Sequence, residues 1–118
     1  MAEFNVGEQP WDAIQDNGFK IVFNITQNDT ELSGDADAHT IPPNPPGTVA
    51  DGDIKQGSRV SGNRFLVRVE FANGFTNEYA GTFTLDGRLY GFVIDVTAGI
   101  EQPTGPGTWM SNKRFRQQ

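Results

Sequence analysis

Turn residues interrupt this chain at short intervals almost from end to end, and between them the apolar residues alternate with polar ones. Asn17-Gly18, Asn73-Gly74 and Asp86-Gly87 each place a glycine where positive φ costs nothing, and alternating stretches flank them. A chain broken this often leaves no room for long amphipathic helices. Alternation with a period of two puts one face of each segment inside, and short turns join neighbours in sequence. The expected fold class is all-β, an antiparallel up-and-down barrel of about eight strands.

Length and charge bound the rest. A chain of 118 residues is long enough to close one core, and residues 1–118 read as a single β-barrel domain. It contains no cysteine, which excludes disulfides, thiolate metal sites and thiol nucleophiles. The 15 acidic against 9 basic residues give a net charge of −6, which repels phosphate backbones and anionic lipid surfaces. Neither a nucleic acid nor a membrane is an expected partner. No apolar run approaches the roughly 18 residues of a membrane span. Glu3, Glu8, Asp12 and Asp16 stand where a signal peptide would be apolar, so a soluble chain without a leader in these residues is expected. The compartment is left open.

The strands can be read in order. After a short first strand around Trp11, residues 18–26 place Phe19, Ile21, Phe23 and Ile25 on one face. Residues 31–38 then offer an inner face of Leu32, Gly34, Ala36 and Ala38, unusually small, which leaves lumen volume to be filled from across the barrel or by a ligand. Residues 39–52 hold four of the seven prolines and read as a long loop that could cover a barrel mouth. A weaker strand over 53–60 is interrupted by Gly57, and 63–72 is the clearest strand, with Phe65, Val67, Val69 and Phe71 on one side. Only a three-residue turn at Ala72-Asn73-Gly74 keeps the odd positions of both arms on the same face. A second hairpin at Asp86-Gly87 leads into residues 88–97 and lays Asn77 opposite Asp95 and Gly81 opposite Gly91. Residues 88–97 are apolar on both faces, and the outer one calls for a cover, most economically a second subunit. Residues 98–107 form another Pro/Gly loop, and Trp109, Ser111 and Phe115 alternate in a closing strand.

Three places carry a resemblance to the avidin-like barrels of the calycin group: Trp11 followed by the Asn17-Gly18 turn, the step Glu31-Leu32-Ser33-Gly34, and Trp109-Met110-Ser111 opening the last strand. The resemblance implies a ligand cavity at an open barrel end and subunits paired through late strands, here 88–97. The family's Trp-x-Asn-x-x-Gly-Ser run, which touches biotin, is not reproduced after Trp11, so a ligand other than biotin, or weak biotin binding, is implied.

Chemistry-bearing residues are few. His39 is the sole histidine and stands at the start of the Pro-rich loop, where a metal would need further ligands to converge; no metal, cofactor or catalytic residue is expected. Asp95, among Leu89, Gly91 and Val93, should be hydrogen-bonded if it faces inward, with Asn77 across from it. Tyr79 and Trp109 have the amphipathic rings that small-ligand pockets use. The expected function is non-enzymatic binding of a small polar-aromatic or heterocyclic molecule, contacted by Trp11, Asn17, Asn77, Tyr79, Asp95, Trp109 and Ser111. The alternatives are a carbohydrate-binding or protein-interaction module working through exposed loops and, further off, a barrel cyclase or isomerase relying on Asp95.

Overall fold

The computed structural model describes residues 3–41, 47–97 and 107–118. They form β1 (Phe4–Asn5), β2 (Trp11–Gln15), β3 (Phe19–Asn28), β4 (Glu31–Thr40), β5 (Thr48–Ala50), β6 (Gly52–Ile54), β7 (Arg59–Ser61), β8 (Arg64–Phe71), β9 (Thr76–Phe83), β10 (Arg88–Asp95), β11 (Gly107–Arg114) and β12 (Arg116–Gln117). Every pairing is antiparallel. β2 pairs with both β3 and β11, and β3 pairs with β4, so the sheet closes into a barrel of eight staves. β5, β6 and β7 are short pieces that share the fourth stave, each laddered to β4. At the break between β6 and β7, Gly57 takes φ 95° and Ser58 replaces lost ladder bonds. Its carbonyl accepts the Leu32 amide at 3.0 Å and its hydroxyl accepts the Arg68 amide at 3.1 Å.

Closure hides the inward positions of each stave. Trp11, Ala13 and Gln15 of β2, Ile21, Phe23 and Ile25 of β3, Phe65, Val67, Val69 and Phe71 of β8, and Leu89 and Val93 of β10 are all buried. The turn after β8 is the three-residue form: Phe71 and Phe75 close it by a 2.8 Å backbone bond, and Gly74 holds φ 95°. Register follows across β8 and β9, with Val67 facing Tyr79, and the hairpin closed between Thr84 and Arg88 sets Gly81 facing Gly91 and Asn77 facing Asp95 across β9 and β10.

The structure departs from the sequence reading at several points. β4 runs on to Thr40 and its return begins at Thr48, so residues 39–40, 48–50 and 52, expected as loop, are strand. The four prolines of that loop lie within 42–46, outside the described residues, as do 98–106 of the second expected loop; nothing prevents their flanks from pairing. Leu32 and Ala36 point inward as expected, but Gly34 is exposed and holds φ 117°. A Cβ there would sit 2.2 Å from the Asn24 carbonyl oxygen, so this glycine serves a close approach of β3 and β4. At the end of the barrel away from the Pro-rich loop, β1 pairs with β12, and Phe4 stacks on Phe83 at 3.8 Å. Two-residue strands carry no readable period, and alternation did not announce them.

On the outer surface of β4 and its partners, Asp35 lies directly across from Asp53, and Asp37 and Asp51 stand close by. Partial burial, then the charges of Asp51 and Asp35, raise the Asp37 carboxyl above its ordinary pKa. The folded state therefore holds this proton more tightly than the unfolded chain does, and stability falls as pH rises from the ordinary carboxylate range through the folded value. Asp37→Asn is expected to raise the melting temperature at neutral pH by a few degrees. The gain should fade at about pH 3, where the carboxyl is protonated in both states. Thermal melts at the two pH values check this; equal gains at both would contradict it.

Candidate functional site

Four aromatic residues fill the middle of the lumen. Trp11 lies against Phe23 at 4.8 Å, Phe65 at 5.8 Å and Trp109 at 6.3 Å. Both indoles are 2 % exposed, and each spends its N–H on a backbone carbonyl: Trp11 on Val6 at 3.0 Å, Trp109 on Phe92 at 3.1 Å. With both donors bound, the tryptophans pack the barrel rather than present polar atoms to a cavity. Ser111, also 2 % exposed, is spent as well. The β10–β11 ladder slips between Arg88 and Tyr90, and the Ser111 hydroxyl accepts the Leu89 amide at 3.0 Å and donates to the Lys113 carbonyl at 2.8 Å. The polar side chain repairs the bulge.

Above this layer the lining turns polar. Tyr79 packs edge-on to Phe23 at 5.5 Å and to Trp109 at 6.1 Å, and its ring is wholly buried. Its hydroxyl donates to Gln15 Oε1 at 2.9 Å, and the Asn77 side chain stands beside it. Burial pushes its pKa well above the ordinary phenol value, so it remains a neutral donor throughout the physiological range. The Gln15 amide in turn donates to Asn17 Oδ1 at 3.0 Å, and the same oxygen accepts the Phe19 amide at 3.3 Å. Tyr79, Gln15 and Asn17 thus form one chain of hydrogen bonds running from the sealed interior to exposed Asn17, with half-buried Asn77 beside its inner end.

Its position follows from strand direction. β2, β4, β8 and β10 all run toward one end of the barrel, where the turn at 16–18 and the connections after β4 and β10 lie. The network sits at that rim. Asp95 is there too, opposite Asn77, but its carboxylate accepts both the amide and the hydroxyl of Thr97, so the strand end is what it holds. Of the seven residues singled out from sequence, Asn17 and Tyr79 are brought into one network, and Asn77 and Asp95 stand beside it. Trp109 lies under Tyr79, while Trp11 and Ser111 sit deeper. Gln15 is the member sequence reading missed. Its signal was available: it continues the inward series Trp11, Ala13, and a polar residue at an inward position needs a partner.

Among the described residues no group of three or more His, Cys, Asp or Glu could hold a metal ion, and no helix is long and apolar enough to cross a membrane. Comparison with protein-family models, with curated proteins and with solved structures finds no match.

Proposed function

We propose that this chain is a non-enzymatic binding protein of avidin-like topology that takes a small, uncharged, hydrogen-bonding ring at the barrel rim. The observation that carries the reading is the buried Tyr79–Gln15 hydrogen bond and its extension to Asn17, with Asn77 beside Tyr79. A polar chain that begins on top of aromatic rings and ends at a barrel mouth is the arrangement that small-ligand sites use, with a few fixed polar groups above an apolar floor. Amide groups both donate and accept, which suits a ring amide, a cyclic urea or a nucleobase-like edge. The charged residues beside the network, Asp16 and Asp95, are acidic and disfavour an anion. The closed antiparallel order of eight staves supports the avidin-like comparison, and the missing biotin-contact run makes biotin a weak ligand at most.

The test is a thermal-shift and native mass spectrometry panel of cyclic ureas, lactams and purine bases, with biotin included. At least one class should raise the melting temperature of the wild type and appear as a bound mass. Asn77→Ala, at a half-buried rim position, should lose that shift while its own melting temperature changes by no more than a few degrees. A panel in which nothing binds, or a shift that survives Asn77→Ala unchanged, rejects the reading.

A further inference from the structure

On the outer wall β9 is a low strand between two high ones. Outward positions fall in rows across the ladder, Arg64, Thr82 and Tyr90 in one and Leu66, Ala80 and Phe92 in the next. The β9 member of each row is small and its flanking members are large. β8 and β10 stand about 10 Å apart across β9, so the short side chains leave a trench between them. Its volume is about 840 Å³, and Arg59 and Ser61 of β7 extend its β8 side. Toward the rim the next row closes it, where Arg68 pairs with Glu78 at 3.1 Å.

The two sides of the trench differ in chemistry. On β10, Phe92 is 59 % exposed and Tyr90 46 %, an aromatic surface that contributes nothing to the core. On the other side Arg59 and Arg64 are diagonal neighbours across β7 and β8, close enough for two long side chains to meet at one point. Neither takes part in an ion pair or a side-chain hydrogen bond among the described residues. Glu31 stands across from Arg59 on β4, but it borders the separate cleft beyond β7. Two uncommitted guanidinium groups therefore face a row of aromatic rings on a chain whose net charge is −6.

We infer that this trench is a second binding site, separate from the rim, and that it takes a planar aromatic carboxylate. The arginine forks match a carboxylate in geometry as well as in charge. The apolar body of such a molecule lies on Ala80 and Leu66 and packs against Phe92 and Tyr90. A single negative charge suits the site, since the acidic chain repels a multiply charged anion more strongly. A sugar acid fits less well, because its ring hydroxyls need partners. Leu66 and Ala80 offer none, and the Thr82 hydroxyl already donates to the Asn63 carbonyl at 3.1 Å. The rim, flanked by Asp16 and Asp95, selects against the charge that the trench selects for.

Isothermal titration calorimetry on the full chain tests the assignment with 2-naphthoate, its uncharged analogue 2-naphthamide, and glucuronate. The wild type should bind 2-naphthoate, and bind the other two at least about tenfold more weakly. Arg59→Ala and Arg64→Ala should each weaken 2-naphthoate by about fivefold. Ala80→Glu, which sets a carboxylate on the trench floor, should abolish binding. All three positions are exposed, so far-ultraviolet circular dichroism spectra should match the wild type. Asn77→Ala, at the rim, should leave 2-naphthoate affinity unchanged; its loss there would move the ligand to the rim and overturn the proposal. So would no heat of 2-naphthoate binding at millimolar concentration, or an affinity that survives Ala80→Glu. Equal affinity for 2-naphthamide overturns the role of the arginines, and equal affinity for glucuronate overturns the aromatic class. Failure here leaves the rim reading standing, because that reading is tested with uncharged rings and depends on Asn77.

Discussion

Gly91→Ala is expected to leave no cooperatively folded barrel. A Cβ at this position would lie 1.8 Å from the Ala80 carbonyl oxygen and 2.6 Å from the Gly81 Cα. Both obstacles are backbone, so no rotamer change can clear them. The neighbouring strand cannot retreat either, because Gly81 is itself pressed against Trp109, whose indole would be 2.8 Å from a Cβ on Gly81. The pair of facing glycines lets β9 and β10 close around that indole, and a methyl group forces the ladder apart. A disruption of this kind costs more than about 4 kcal/mol, comparable with the total stability of a small domain. Gly47→Ala, where a Cβ meets nothing within 4 Å, is the matched control and should melt like the wild type. Urea denaturation followed by tryptophan fluorescence reads both; a Gly91→Ala protein with a wild-type midpoint would refute the close approach.

Trp11→Ala should carry the next largest effect. The ring touches Phe23, Phe65, Trp109 and Phe115 and joins β2 to the terminal segment through its bond to the Val6 carbonyl. Removing it opens a cavity in the middle of the lumen, which costs about 3–5 kcal/mol, with about 1 kcal/mol more for the lost hydrogen bond. Trp11→Phe retains most of the packing and loses the bond, so it should recover the greater part of that stability. Denaturant midpoints of the two variants measure the difference. If Trp11→Ala is as stable as Trp11→Phe, the indole does not fill the core as described.

The barrel was legible because its hairpins are specified locally. The odd apolar positions on both arms admit only the three-residue turn at Ala72-Asn73-Gly74, which lays Val67 against Tyr79, and the Asp86-Gly87 hairpin then sets the pairs Asn77 with Asp95 and Gly81 with Gly91. Contacts without a local signature were not legible. Gln15 interrupts an apolar series and so looks like the end of a strand, yet closure supplies its partner from Tyr79, far along the chain. Gly34 looks like one more small inward residue, whereas its conformation answers to the Asn24 carbonyl on the neighbouring strand. Asp95 reads as a candidate site residue because alternation places it inward, but Thr97 satisfies it from two positions away. Alternation reports which way a side chain points; which groups it meets depends on the assembled ring.

The seam between β2 and β11, where Gln15 faces Trp109 and Ala13 faces Ser111, joins the two ends of the sequence. Every other stave can zip onto a neighbour by hairpin growth, but this seam requires nearly the whole chain to be organised first, so it should form late and govern the folding rate. Until then both margins present unbonded amides and carbonyls able to template on other molecules. Refolding yield should therefore depend on protein concentration far more steeply than the finished, edgeless cylinder would suggest.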